Sequence, residues 1–221
     1  DWNFLQNGDP YSISFWIQPT SGWNPSQEHA VVDTQGGTAS NVGLTIYFGG
    51  DDKLYWIVSA GTGSEYVATA GIDMTYDDSW QHMVYTTTGT ELKIYKDGTL
   101  MQTTDYSTYN PSSSNNAYQL TIGKNIRSGE GMNADLDELA FWKQTLTQED
   151  VTTLYNGGNA GVLASTIPQD MFAYYDMDED SRDTCCLTND APATYTITSV
   201  ASGGDFEVGK LSNALGDPTL V

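Results

Sequence analysis

Basic residues are scarce in this sequence, which has eight Lys and Arg side chains, 29 Asp and Glu side chains and a formal net charge of −21 at pH 7. Such a surface repels phosphates, which excludes nucleic acid as a partner. No apolar run approaches the roughly 20 residues that cross a bilayer, which argues against membrane insertion. The acidic residues are scattered along the chain. Three interpretations stay open: a solvated acidic surface, recruitment of divalent cations, or a basic partner.

Cysteine is equally scarce, and the two cysteines, Cys185 and Cys186, are neighbours in the sequence. Adjacent Cα atoms lie about 3.8 Å apart, whereas an ordinary disulfide needs about 4.4–6.8 Å. An ordinary intradomain disulfide is therefore excluded. A strained vicinal disulfide, a bond to another chain and two free thiols remain open, so the pair does not indicate a redox compartment.

Histidine is limited to His29 and His82, and neither lies beside a nucleophile motif. His82 alternates with Trp80 and Val84, a pattern typical of a packed histidine on a strand. The sequence also lacks a glycine-rich phosphate loop and any Cys/His spacing of a metal site. These absences predict a protein that is not an enzyme.

What the sequence has in quantity is alternating hydrophobicity with turn residues at short intervals. Residues 11–18 place Tyr11, Ile13, Phe15 and Ile17 on one face and polar residues and Trp16 on the other, which predicts a half-buried strand. The Asp97-Gly98 pair predicts a type I′ hairpin turn. Further strands are predicted over residues 29–33, 44–48, 54–59, 80–85, 91–95, 99–103, 118–122 and 136–142.

One helix is predicted, over residues 147–156. Thr147 is a suitable N-cap, and Val151, Leu154 and Tyr155 form an apolar stripe at helical spacing before two glycines end the helix. Many short strands with a single short helix predict an all-β fold: a two-sheet antiparallel jelly-roll sandwich with one short helix near residues 147–156.

Four segments in sequence order resemble the laminin-G-like and concanavalin A-like lectin superfamily, in the variety common in microbial and viral surface proteins. They are YSISFWIQP (11–19), SWQHMVY (79–85), ELKIYKDGTL (91–100) and DLDELAFWKQTLTQEDVTTLYN (135–156). The resemblance implies two packed, curved antiparallel sheets and a laminin-G-like domain over residues 1–165.

The C-terminal segment, residues 166–221, departs from the family order. FAYYDMDEDSRD (172–183) and GKLSNALG (209–216) resemble the beginning of this same domain type, which normally precedes the strand at residues 11–18. A jelly roll without its first strand exposes an unpaired sheet edge. Three hypotheses remain open: the segment completes its own chain's sandwich, it completes a neighbour's, or it starts a second repeat.

Glucanases of this superfamily carry the motif E-x-D-x-x-E, with a nucleophile and an acid/base on one strand face. The nearest stretch here, residues 134–139 (ADLDEL), lacks the first Glu and has the wrong spacing. The resemblance therefore also favours a non-catalytic protein.

Family members often bind one Ca²⁺, an ion that takes six to eight oxygen ligands. In the family arrangement the first and closing strands lie close together, which would bring their carboxylates near one another. These carboxylates would repel one another unless a cation or a proton offset their charge. The resemblance thus implies Ca²⁺ as a cofactor, with ligands drawn from Asp137, Glu138, Asp176, Asp178 and Asp183.

Carbohydrate-binding members use loop aromatics as stacking surfaces. Five aromatic residues in polar, loop-like stretches are the predicted carbohydrate-binding residues: Trp23, Tyr66, Tyr76, Tyr106 and Tyr109.

Two functions follow from these patterns. The first is a structural and adhesion protein of an extracellular filament, surface layer or virion, which self-associates with identical subunits through β-strand complementation and Ca²⁺. The alternative is a lectin-like carbohydrate-binding module, attached to a larger surface protein, that binds glycans. Both place the protein outside the cytoplasm, at a cell surface or in a virion.

Overall fold

The computed structural model describes residues 2–35, 42–59, 66–109, 120–125, 131–158 and 171–175. Within these ranges the chain forms twelve β-strands, one α-helix and two short 3-10 segments at Asn3–Leu5 and Asn156–Gly158. The strands and the helix are β1 (Tyr11–Pro19), β2 (His29–Asp33), β3 (Gly43–Phe48), β4 (Lys53–Ser59), β5 (Tyr66–Ala68), β6 (Ile72–Asp73), β7 (Gln81–Thr87), β8 (Glu91–Lys96), β9 (Thr99–Asp105), β10 (Thr121–Ile122), β11 (Ala134–Trp142), α1 (Gln148–Tyr155) and β12 (Met171–Tyr175).

These strands form two antiparallel sheets. Sheet A has the order β12-β11-β1-β7-β8-β9, and sheet B has the order β10-β2-β3-β4-β5, with β6 also paired to β4. The two sheets with one short helix confirm the predicted jelly-roll sandwich. No helix in the described ranges has the length and hydrophobicity of a membrane-spanning segment.

The core lies between the two sheets and follows the strand alternation. Sheet A contributes Tyr11, Ile13, Phe15 and Ile17 from β1, as predicted. Every second residue of β3 and β4 in sheet B faces them: Leu44, Ile46, Phe48, Leu54, Trp56 and Val58. Burying these side chains contributes roughly 25 cal/mol per Å² of apolar surface, the main stabilising term of such a sandwich.

The other face of β1 is also buried, so the prediction of a half-buried strand was wrong. Helix α1 packs over this face, where the Tyr155 ring stacks 6.0 Å from that of Trp16. The Ser12 hydroxyl donates to the Gln144 carbonyl at 2.8 Å and accepts from the Leu146 N–H at 2.9 Å. Sheet A therefore has covered apolar surfaces on both sides at β1.

Helix α1 begins after the predicted N-cap, Thr147, but its left-handed C-cap is Asn156 rather than one of the two glycines that follow. The Thr147 hydroxyl accepts from the Asp150 N–H at 3.2 Å, and the Asp150 carboxylate accepts from the Thr147 N–H at 2.8 Å. This capping box satisfies N–H groups that have no partner within the helix. Asn156, with a φ of 47°, ends the helix in the left-handed conformation.

The hairpin between β8 and β9 confirms the predicted type I′ turn. Asp97 and Gly98 have φ values of 50° and 73°. The Asp97 carboxylate accepts from the His82 N–H at 2.9 Å, which fixes the turn to β7.

The C-terminal strand β12 pairs with β11 of the same chain, where Tyr175 lies opposite Leu139 and Tyr174 opposite Ala140. Strand β12, residues 171–175 of the C-terminal segment, therefore pairs within its own chain, and the three hypotheses for the segment as a whole stay open predictions. All five residues of β12 are buried, so the edge of sheet A is occupied there. Residues 176–221 lie outside the described residues, and the division at residue 165 stays a prediction.

Candidate functional site

The aromatic residues predicted to bind carbohydrate do not form one site. The rings of Trp23 and Tyr76 meet at 5.9 Å, and those of Tyr106 and Tyr109 meet at 6.1 Å elsewhere in the sandwich. The backbone of Tyr66 belongs to β5 rather than to a loop, and its side chain lies outside the described residues. The prediction thus separates into two local pairs.

The pair of Tyr106 and Tyr109 packs against the core. Tyr106 is 4% exposed, its hydroxyl bonds to that of Thr87, and its ring lies 5.7 Å from Trp56. The Tyr109 hydroxyl donates to the Gln6 carbonyl at 3.0 Å. Because the Tyr106 ring is buried, it does not offer the exposed stacking surface that the prediction requires.

The pair of Trp23 and Tyr76 closes one end of the sandwich. The half-buried Trp23 ring lies 5.0 Å from Phe48 and 5.2 Å from His29. Burial raises the pKa of the Tyr76 hydroxyl, and the charges of Asp52 and Asp51 raise it further. This pair remains partly accessible, but both rings mainly cover the core.

A third aromatic pair, absent from the prediction, lies on the outer face of sheet B. Tyr47 and Tyr55 are directly opposite each other on β3 and β4, with stacked rings 5.4 Å apart and an interplanar angle of 18°. Both are half-buried, whereas their sequence neighbours Ile46 and Trp56 point into the core. The strand alternation contains this signal, because it places both tyrosines on the face opposite the core residues.

Charged groups surround this pair. The Tyr55 hydroxyl donates to the Asp51 carboxylate at 2.6 Å. Next to it, the Lys53 ammonium lies 3.1 Å from the Asp73 carboxylate, and the Asp73 side chain is 89% exposed. The hydrogen bond to Asp51, followed by burial and the charges of Asp51, Tyr47 and Asp73, raises the pKa of Tyr55 to about 12. We refer to Tyr47, Asp51, Lys53, Tyr55 and Asp73 as the tyrosine face.

Two glycines let the backbone approach the Tyr55 ring closely. A Cβ atom on Gly71 would lie 2.7 Å from the Tyr55 Cζ atom and 2.5 Å from the Lys53 Cβ atom. A Cβ atom on Gly49 would lie 2.7 Å from the Tyr55 Cε2 atom. Any larger residue at these positions would displace the Tyr55 ring. Glycine at positions 49 and 71 therefore permits the observed position of this ring.

Of the predicted calcium ligands, the structure describes Asp137 and Glu138. The buried Asp137 carboxylate accepts from the Glu138 N–H at 2.8 Å, at a bulge where Glu138 has a φ of 52°. Glu138 in turn accepts from the Tyr174 hydroxyl at 2.7 Å. Among the residues that the structure describes, no three His, Cys, Asp or Glu side chains gather as a metal site would require.

The other three predicted ligands, Asp176, Asp178 and Asp183, lie outside the described residues. Asp176 follows Tyr175, which pairs with Leu139 beside Glu138. The calcium site therefore stays a prediction that combines Glu138 with acidic residues after Tyr175.

A buried Ser–His pair lies beneath α1. The Ser14 hydroxyl is 2.9 Å from the His82 Nε2 atom, and the His82 ring is 4.8 Å from Trp16 and 6.1 Å from Tyr155. His82 is 1% exposed, and burial lowers its pKa to about 3. Within the described part of the chain, its Nδ1 atom has no hydrogen-bond partner to orient the ring. A substrate does not reach this pair, so it fits a packed polar contact, as predicted for His82.

Solved structures with a similar fold include receptor-binding domains of botulinum neurotoxins. The binding domain of serotype D is 18% identical with a TM-score of 0.53, and the alignment covers 67% of this chain and 37% of that chain. The C/D mosaic serotype is 17% identical with a TM-score of 0.54, covering 70% and 37%. The serotype G domain is 14% identical with a TM-score of 0.53, covering 70% and 38%. The protein thus spans little more than a third of these toxin domains, and the likeness concerns the fold alone.

A search of curated proteins found no match. A laminin G-type family model, described as the concanavalin A-like lectin/glucanases superfamily, matches residues 3–152, which is more than half of the chain. The match runs from the 3-10 turn before β1 into α1. It contains the first three segments on which the resemblance was based and residues 135–152 of the fourth. The chain belongs to the laminin G-type branch of the concanavalin A-like lectin/glucanase superfamily.

Proposed function

We propose that this protein is a non-catalytic carbohydrate-binding module whose site is the tyrosine face. The observation that carries the proposal is the stacked pair of Tyr47 and Tyr55 on the outer side of a sheet, beside carboxylates. Sugars combine apolar C–H faces with hydroxyl groups, so they bind where aromatic carbon lies next to polar groups of fixed geometry.

Preorganisation supports this choice over the loop aromatics. The Tyr55 ring is held by Tyr47 on one side, by its hydrogen bond to Asp51 and by the close backbone of Gly71. A ring fixed before binding loses little conformational entropy when a ligand docks. Four of the five residues of the tyrosine face lie on strands, which hold side chains more accurately than loops do, and Asp51 lies in the short turn between β3 and β4.

Assembly into a filament by strand complementation receives less support. The predicted form of that mechanism uses an open edge beside β11, and β12 of the same chain occupies that position. A neighbour's strand would first have to displace a strand whose five residues are all buried. Self-association with identical subunits therefore stays a prediction. So does the location outside the cytoplasm, on a cell surface or in a virion, which the family supports in general terms.

Replacing Tyr55 by alanine should weaken glycan binding by about two- to twelvefold, since an aromatic contact contributes roughly 0.5–1.5 kcal/mol. The measurement is a glycan array followed by calorimetric titration of the best ligand. Tyr55→Phe keeps the ring and loses only the hydroxyl bond to Asp51, so it should retain most of the affinity. Leu100→Ala, an exposed apolar truncation on sheet A, is the matched control and should bind as the wild type does.

The opposite pattern would relocate the site. If Tyr55→Ala binds normally while Trp23→Ala loses binding, the loop aromatics at the end of the sandwich form the site and the tyrosine face does not.

We also propose that Ca²⁺ binds near the β11–β12 edge, through Glu138 and acidic residues after Tyr175. Ca²⁺ at about 100 times its Kd would stabilise the fold by about 2.7 kcal/mol, a rise in melting temperature of roughly 5–10 °C. Thermal melts with added Ca²⁺ and with EDTA measure this shift. The double variant D178N/D183N should lose it. A melting temperature that is the same in Ca²⁺ and in EDTA would refute the calcium proposal.

A further inference from the structure

The carboxylates on the tyrosine face give it a negative potential. The Asp73 side chain is 89% exposed and the Asp51 carboxylate accepts the Tyr55 hydroxyl proton at 2.6 Å. Both charges oppose ionisation of the Tyr55 hydroxyl and help to hold its pKa near 12. With the Lys53 ammonium, these two carboxylates leave the five residues of the tyrosine face with one net negative charge.

The charge of the whole chain adds to the negative potential at the tyrosine face. The net charge of −21 makes the approach of any anion unfavourable and that of a cation favourable. Uronic and sulfated sugars would meet this repulsion at the tyrosine face, where the one positive group among its five residues, Lys53, already pairs with Asp73 at 3.1 Å. A neutral sugar would gain nothing from the field.

We propose that the tyrosine face selects saccharides that carry a protonated amine, such as unacetylated amino sugars, over neutral and anionic sugars. The apolar side of the sugar lies against the exposed part of the half-buried Tyr55 and Tyr47 rings, and ammonium groups of the saccharide donate to the carboxylates of Asp51 and Asp73. This inference rests on the proposed carbohydrate-binding function and adds the chemical class of its ligand.

Lys53 provides a specific test of this selection, because its ammonium group competes with that of the ligand for the Asp73 carboxylate. The Lys53→Met substitution removes the ion pair with the Asp73 carboxylate, while the Lys96 ammonium still donates to the Asp73 backbone carbonyl at 2.8 Å. We expect the affinity for an amino-sugar oligomer to rise about two- to fivefold, the size of one exposed charge contact. The affinity for a neutral oligomer should stay the same.

The test is calorimetric titration of the full chain with oligomers of equal length made of glucosamine, N-acetylglucosamine, glucose and galacturonate, at a mildly acidic pH that protonates the amine. The glucosamine oligomer should bind at least fivefold more tightly than the others. Asp51→Asn and Asp73→Asn should each weaken it about two- to fivefold while sparing the neutral oligomers. Raising the ionic strength from about 0.1 M to 1 M shortens the screening length from about 10 to 3 Å and should remove the preference.

Two controls separate a site from general attraction between opposite charges. Asp105→Asn removes an exposed carboxylate on sheet A and should leave binding unchanged; an effect equal to that of Asp73→Asn would overturn the inference. A lysine-rich peptide that binds as tightly as the glucosamine oligomer, with the same variant profile, would overturn it in favour of a basic peptide ligand.

The remaining outcomes are distinct for the two proposals. Equal affinity for the glucosamine and glucose oligomers, lost in Tyr55→Ala, would overturn the charge selection and leave the carbohydrate-binding function intact. Failure of every oligomer to bind would overturn both.

Discussion

Replacing Phe172 by alanine should lower the free energy of unfolding by about 3–5 kcal/mol, the range for a fully buried phenylalanine. The Phe172 ring is the centre of an aromatic cluster that joins the two ends of the described chain. It lies 5.0 Å from Trp2 and 5.0 Å from Phe4, and the Lys143 ammonium sits 4.3 Å above it. Its removal leaves a cavity and withdraws the cation–π contact at once.

The loss should also change how the protein behaves when it is partly unfolded. Phe172 is on β12, so a weakened cluster exposes the edge of β11 at Ala140 and Phe141. An unpaired edge next to apolar side chains promotes association. Urea denaturation measures the stability, and light scattering during the transition measures aggregation.

Leu100→Ala is the matched control for this substitution, because Leu100 is 44% exposed and its truncation should change stability by at most about 0.5 kcal/mol. A Phe172→Ala protein that unfolds at the same urea concentration as Leu100→Ala would mean that β12 does not dock on β11 in solution.

Local signals in the sequence were sufficient to predict most strands and turns of the sandwich. The strand at His29–Asp33 was predicted with the bounds that the structure gives, and the Asp97-Gly98 turn adopts the predicted conformation. These features depend on alternation and on backbone preferences within a few residues. The fold class followed from their sum and from the resemblance.

Features that depend on distant contacts were not predicted. The burial of Ser12 and Ser14 required knowing that α1 folds back over β1, more than 130 residues along the chain, as the bond from Leu146 to Ser12 records. Tyr66 of the short strand β5 was assigned to a loop, and β6 was not predicted, because two or three residues carry almost no periodicity.

The candidate site also contains features that local sequence signals predict and features that depend on distant contacts. Loop aromatics were expected to be exposed, yet Tyr106 is buried because residues after β9 turn back onto the core. The pair of Tyr47 and Tyr55 was overlooked although its alternation was readable. Alternation alone does not give the register of β3 against β4, and it is this register that places the two rings opposite each other.

Below pH 6.5, we expect the wild-type protein to lose stability relative to a His82→Gln variant by about 1.4 kcal/mol per pH unit. The folded-state pKa of His82 is lowered from 6.5 to about 3 because the ring is buried. The unfolded chain therefore binds a proton through this window while the folded protein does not. Stability that is present above pH 6.5 is lost progressively as the pH falls towards 3.

The effect is measured as a difference because the carboxylates titrate in the same range. Protonating them relieves repulsion in a chain of net charge −21 and at the same time weakens hydrogen bonds that carboxylates such as Asp105 accept, so the carboxylates change stability independently of the histidine. Both contributions occur in the wild type, but only that of the carboxylates occurs in His82→Gln, so subtracting urea-derived stabilities isolates the ring. Gln is polar enough to bond the Ser14 hydroxyl in place of Nε2, so the variant should fold.

At pH 4.5 the wild type should have lost about 2.7 kcal/mol relative to the variant, taking pH 7.5 as the reference. The same subtraction tests the environment on which the prediction depends. Stability curves that run parallel from pH 7.5 to 4.5 would mean that the His82 ring takes up its proton in the folded state. Water would then have to reach the ring beneath Trp16 and Tyr155, and α1 would not cover sheet A as tightly as the stacked rings indicate.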